Sequence, residues 1–77
     1  MTIQTFAVLK DYFSSNFVVI QNLHFIADLK AFLIQQNPAA QNILNLSRFA
    51  VNDTFVDLNF EIKNDDTISI IPPSSGG

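Results

Sequence analysis

The 77-residue chain has no cysteine, no tryptophan, a single histidine and only two glycines, Gly76 and Gly77, which end it. Without cysteine, neither a disulfide nor a thiolate metal cage can staple the fold, and His24 alone cannot build a zinc site. The same scarcity excludes a phosphate-cradling glycine loop and leaves no histidine-based catalytic triad with metal-like or nucleophile-like spacing. Long apolar runs are missing too. Stretches such as Phe17 to Ile20 fall far short of the roughly 20 residues that cross a bilayer. Met1 to Lys10 lacks the basic start and long apolar core of an export signal, so a cytoplasmic domain is expected. Positive charge is sparse: Lys10, Lys30, Arg48 and Lys63 stand apart against seven acids, for a net charge of −3. Nucleic acid and anionic membranes are poor partners for such a chain, because affinity for phosphates comes from clustered Lys and Arg.

Apolar residues, by contrast, are plentiful. They make up 48 % of the chain, with eight phenylalanines, while charged residues make up only 14 %. A chain of this length forms one domain, residues 1–77, and buries about 60 % of its unfolded surface. Its stability is then on the order of 3–5 kcal/mol. So small a core cannot hide all of this apolar material. Some of it is expected at the surface, where it favours a protein partner.

Periodicity divides the chain into elements. Thr2 to Leu9 and Phe17 to Asn22 are rich in β-branched and aromatic residues and predict strands, joined through the turn chemistry of Ser14, Ser15 and Asn16. In Phe25 to Asn37 the period changes: Phe25, Ile26, Leu29, Phe32 and Leu33 form one helical stripe. Asp28 suits the start of that helix and Pro38 stops it, with a further short helical turn expected in Ala39 to Leu46. Arg48 to Val51, a turn at Asn52-Asp53 and Thr54 to Asp57 predict a strand pair. Leu58, Phe60 and Ile62 alternate with polar residues as a strand would, before a turn at Asn64 to Asp66. Thr67 to Ile71 is the last strand. These elements predict an α+β fold, a mixed sheet of about five strands with one main helix across one face: a β-grasp arrangement.

Two features invite a site assignment and carry none. His24 precedes the helix, where a solvent-facing or capping role is the simpler one. Asp65-Asp66 is too small an oxygen set for a calcium loop and fits a polar hairpin turn. The C-terminal stretch "IIPPSSGG" is different. Pro72-Pro73 fixes two φ angles and removes two donors, so the strand must stop and the chain leave as a stiff extended stem, residues 72–77. Gly76 and Gly77 have no Cβ and fit a channel too narrow for any side chain, with an α-carboxylate at its end. Such a carboxylate becomes an acyl donor once ATP converts it to an acyl-adenylate. An amine then yields a conjugated modifier, or a sulfur donor yields a thiocarboxylate. In a chain without cysteine, any sulfur carried must sit on the Gly77 carbonyl.

The terminal Gly-Gly on this element order resembles the ubiquitin-like β-grasp sulfur carriers. Within them, "IIPPSSGG" resembles the molybdopterin synthase small subunits, which end in an apolar pair, Pro-Pro, two variable residues and Gly-Gly. "FAVLKDYF" (Phe6–Phe13), "AVNDTFVD" (Ala50–Asp57) and "IKNDDTISIIPP" (Ile62–Pro73) match in the same order, so the resemblance spans essentially the whole chain. It implies a non-catalytic, cytoplasmic sulfur-carrier subunit of a heterotetrameric synthase, with Gly77 adenylated and then thiocarboxylated and Pro72, Pro73, Gly76 and Gly77 inserted into the partner. Phe6, Phe55 and Ile71 match positions that present apolar side chains to partners, and Lys10 a basic position beside them; the alternative for the three apolar residues is burial under the helix. The implied partners are the synthase large subunit, which holds the catalytic residues, an ATP-dependent adenylating enzyme like those that activate ubiquitin, and a sulfur-donor protein. No cofactor or metal is implied on this chain, and ATP is used by the activating partner. The carriers of thiamine thiazole synthesis share Gly-Gly but generally lack the Pro-Pro stem, and protein modifiers share the fold. One departure stands out: the family's usual Asp-Gly-Asp in the last turn is here Asn64-Asp65-Asp66, which predicts some cost in left-handed conformation.

Overall fold

The computed structural model describes residues 1–73. Strand β1 (Thr2–Thr5) is followed by a 3₁₀ helix (Ala7–Asp11), strand β2 (Asn16–Val18) and helix α1 (Ile26–Gln36). A second 3₁₀ helix (Pro38–Ala40), helix α2 (Gln41–Leu46) and strands β3 (Arg48–Val51), β4 (Thr54–Val56) and β5 (Thr67–Ile71) complete the order. The five strands form one mixed sheet in the order β2-β1-β5-β3-β4. β5 lies at its centre, parallel to β1 and antiparallel to β3.

Alternation along the strands sorts the sheet into two faces. Ile3, Thr5, Ile68, Ile70, Phe49 and Val51 are buried on one side. Against them pack Ile26, Leu29 and Leu33 from the α1 stripe, with Ala40 and Leu44 from the following turn and helix. The amphipathic stripe read from the sequence is therefore the core face of α1, except at its first member. Phe25 is 42 % exposed and adopts extended angles as the residue before the helix. Its backbone N–H donates to the Asp28 carboxylate at 3.0 Å, which ties down the helix entrance.

Four expectations change at the backbone level. β1 ends at Thr5 rather than Leu9: the Thr5 hydroxyl donates to Ser14 O at 2.8 Å, and Ala7, at φ 51°, turns the chain into the 3₁₀ helix that buries Leu9. β2 ends at Val18, because the last facing contact available to it is between Val19 and Met1, after which the chain leaves for α1. Leu58 to Ile62 forms no strand, only a single bridge between Phe25 and Glu61. The physical reason is the helix N-terminus, which has free N–H groups to satisfy. Leu58 O accepts from Ala27 N–H at 2.8 Å and Phe60 O from Ile26 N–H at 3.1 Å, so these carbonyls face the helix rather than a strand partner.

The fourth change concerns the acidic turn. Asn64, Asp65 and Asp66 are not in the left-handed region, so the absence of glycine costs nothing there. Nor is the turn a hairpin, since the strand that follows it pairs with β1 and β3. Positive φ falls instead on Asn52 (49°) and Asp53 (71°), as a two-residue type I′ turn between β3 and β4 requires. The two turns are clasped together. Asp66 is buried, accepting from Lys63 N–H at 2.8 Å and from the Asn52 side-chain amide at 3.3 Å. Asn52 N–H in turn donates to Thr67 O at 3.0 Å.

These local geometries predict two opposite stability changes. Ala7→Gly relieves a left-handed non-glycine residue and should stabilise the fold by roughly 0.5–1 kcal/mol. Asp66→Ala removes the buried carboxylate that accepts from Lys63 N–H and the Asn52 side chain and should destabilise it by about 1–2 kcal/mol. Urea unfolding of the two variants beside the parent measures both.

Candidate functional site

β5 has the alternating burial of a strand with one face in the core and one outside it. Ile68 and Ile70 point into the core, which places Thr67, Ser69 and Ile71 on the other face. Neighbouring strands continue that face in register. Ala50 stands opposite both Ser69 and Phe55, Gln4 stands opposite Ser69, and Arg48 stands opposite Ile71. The Ser69 hydroxyl donates to Gln4 Oε1 at 3.3 Å across this row. Among the described residues, α1 and α2 pack on the opposite side and leave this one open.

Phe6 continues the Thr2, Gln4 alternation of β1 in extended conformation and reaches the same face beside Ile71. It is 44 % exposed and Phe55 is 48 % exposed, while Ile71 is half-buried. Both phenylalanines therefore lie outside the core, in contrast to Phe49, which is 3 % exposed on the helix-covered face. Lys10 is exposed in the last turn of the first 3₁₀ helix, which packs beside β5. Phe6 and Ile71 thus meet on the open face at the C-terminal end of β5. Phe55 stands one row back on the same face, in line with Ala50 and Ser69, and Lys10 is on the 3₁₀ helix beside β5. The chain passes from this end into Pro72, half-buried, and Pro73, exposed. Gly76 and Gly77 lie outside the described residues.

Arg48 joins this group although sequence reasoning did not select it. Its Cζ sits 3.7 Å from the centroid of the Phe55 ring. A signal for it existed: a two-residue turn at Asn52-Asp53 fixes the register of β3 and β4, and that register puts Arg48 diagonal to Phe55 on one face. Val8, 40 % exposed on the 3₁₀ helix, was likewise not selected.

Elsewhere the molecule offers little chemistry. His24 is exposed, and its backbone carbonyl accepts from Ile62 N–H at 2.7 Å. A cavity of about 330 Å³ between β2 and α1 is lined by Phe13, Phe17, Val19 and Phe32 with neighbouring neutral residues, and holds no acid or base. Among the described residues, no three His, Cys, Asp or Glu side chains group as metal ligands. Also among these residues, no helix is long and apolar enough to cross a membrane.

The sequence matches the family model described as the ThiS family over residues 3–77. The chain belongs to the ThiS family. Among solved structures, this ThiS-family chain is similar to one in the complex of subunits 1 and 2 of molybdopterin-converting factor from Helicobacter pylori 26695. The two are 30 % identical, with a TM-score of 0.72, over 99 % of this chain and 96 % of that one. Two more distant structures share the fold. SAMP1 from Haloferax volcanii is 20 % identical at a TM-score of 0.79, over 99 % of this chain and 97 % of that one. A structure assigned to molybdopterin converting factor subunit 1 from Pyrococcus furiosus is 16 % identical at a TM-score of 0.80, over 95 % of each chain. No curated protein matches the sequence at a significant level. The ThiS-family chain is thus a small sulfur-carrier-like β-grasp domain of a generally non-catalytic family.

The two phenylalanines on either side of the sheet separate surface from core. Phe49→Ala should cost about 3–5 kcal/mol, as core phenylalanines do. Phe55→Ala should cost about 1 kcal/mol or less, chiefly the contact with Arg48. Equal losses in denaturant unfolding would place Phe55 in the core and contradict the exposed face.

Proposed function

We propose that this protein is the sulfur-carrier subunit of a molybdopterin synthase. The observation that carries the proposal is the full-length likeness to a chain of the two-subunit molybdopterin-converting factor complex, at an identity that relates sequences as well as folds. The Pro-Pro-x-x-Gly-Gly stretch supports the same pathway, since thiamine-type carriers generally lack the stem of two prolines.

The chemistry follows from the terminal carboxylate of Gly77. A carboxylate oxygen attacks the α-phosphorus of ATP on an adenylating partner and releases pyrophosphate. The resulting acyl-adenylate is a mixed anhydride, and a sulfur nucleophile delivered by a donor protein displaces AMP to leave a thiocarboxylate. The large subunit then takes this sulfur for the dithiolene of the pterin product, with two carrier chains serving one product in a heterotetramer. In that step the bond between sulfur and the Gly77 carbonyl carbon breaks, and water returns Gly77 to a carboxylate. The reacting group belongs to this chain and the acid–base chemistry to its partners. Phe6, Phe55, Ile71 and Lys10 form the surface that docks first on one partner and then on the other. Pro72 and Pro73 direct the stem from that surface, and Gly76 and Gly77 pass where a Cβ would clash.

Incubation of the full chain with the adenylating enzyme, ATP and a sulfide source should raise its intact mass by the difference between sulfur and oxygen. The modification should map to Gly77. A mass that never changes would sink the proposal, and sulfur accepted by a thiazole synthase rather than the pterin-binding subunit would move the chain to the thiamine pathway.

Deleting Gly76 and Gly77 should leave the unfolding midpoint unchanged and abolish sulfur transfer altogether. Retained transfer would show that the reactive group lies elsewhere.

A further inference from the structure

The apolar end of the open sheet face has a cation at its centre. Arg48 on β3 lies opposite Ile71 on β5 and diagonal to Phe55 on β4, so its side chain emerges between the two apolar residues assigned to docking. The guanidinium carbon sits 3.7 Å over the Phe55 ring. A guanidinium on an aromatic face uses one of its own faces for the ring, while its N–H donors point outward in its plane. Those donors are at the surface, because Arg48 is exposed. The charge is also conspicuous in context. In a chain of net charge −3 with only four basic residues, one of the four, Arg48, stands exposed within this patch.

A partner that met the patch with apolar groups alone would strip water from the guanidinium and leave its donors unpaired, which is unfavourable. A carboxylate set within the partner's apolar surface removes that penalty, since the planar fork of arginine accepts a carboxylate on two parallel hydrogen bonds. We propose that Arg48 is a specificity-determining residue of the docking face: it holds the Phe55 ring in place and pairs with a carboxylate in the apolar docking surface of the large subunit. This inference rests on the docking face assigned above. Arg48 discriminates partners by excluding apolar surfaces that lack an acid, including those able to accommodate Phe6 and Phe55. Lysine would keep the charge but supply neither the stacking plane nor the fork.

Calorimetric titration of the full-length chain into the large subunit, at two salt concentrations, tests this with three variants. Arg48→Leu should bind about tenfold more weakly, as expected for loss of one charge-assisted contact, and its affinity should depend less on salt. Arg48→Lys should remain several-fold weaker than the parent, and both should melt within a few degrees of it. Phe55→Asp, the control for the face itself, should lose binding. If Phe55→Asp loses binding while Arg48→Leu or Arg48→Lys stays within about twofold of the parent, the role of Arg48 is overturned and the docking face stands. If Phe55→Asp binds like the parent, the docking face fails, and the inference fails with it.

Discussion

Everything in this small protein depends on the pairing of β5 between β1 and β3. The strand is hydrogen-bonded along both edges, parallel to the start of the chain and antiparallel to β3, and Ile68 and Ile70 are fully buried on its core side. No cross-link reinforces this arrangement, because the chain has no cysteine. The last strand thus stitches residues near the N-terminus to the β3–β4 hairpin. A contact of such sequence separation carries a large loop-closure cost, which the apolar burial of the isoleucines must offset. Because β5 is central, the stem at Pro72 starts from the most constrained backbone of the molecule.

That placement explains why the sheet can have one bare face. The helix-covered side uses Ile26, Leu29, Leu33 and Leu44 to close the core, and so most of the stabilising burial lies there rather than on the other side. Ala50 shows how the bare side is kept thin: it is buried between Phe55 and Ser69 on the neighbouring strands, where a larger residue would push the flanking side chains apart. Exposure of Phe6 and Phe55 is the consequence of having more phenylalanine than one small core can enclose. The excess is also spread unevenly. Val18 and Ile20 project at the β2 edge, at 67 % and 89 % exposure, far across the sheet from β4.

The sequence exposed the helix stripe, the Asn52-Asp53 turn and the break at Pro72 because each depends on local periodicity or on the fixed φ of a few residues. It misrepresented Leu58 to Ile62 for an equally physical reason. Alternation of apolar and polar side chains reports which way side chains point, not where carbonyls find donors, and here the donors were the free N–H groups of α1. Ala7 gave no signal at all, since nothing in an alanine announces a positive φ. The strand order was also invisible, because parallel pairing of β1 with β5 joins segments that share no turn. At the site, the positions of Phe6, Phe55 and Ile71 came from family resemblance. Their meeting on one face needed the register of β1, β5, β3 and β4 together.

This separation of duties has an energetic corollary. Residues that hold the fold, such as Phe49 and Ile70, lie on the opposite side of the sheet from those assigned to partners. Changes at Phe6, Phe55 or Arg48 on the bare face therefore act on exposed groups, whose contribution to folding is small. The same changes would act at full strength in a complex, where water has left and every unpaired donor counts. A marginally stable domain can in this way vary its partner surface without crossing its own unfolding threshold. The limit is Ile71: half-buried and paired with Arg48 in the ladder, it belongs to both duties at once. Substitution there must disturb the end of β5 and the origin of the stem together, which makes it the least separable position of the site.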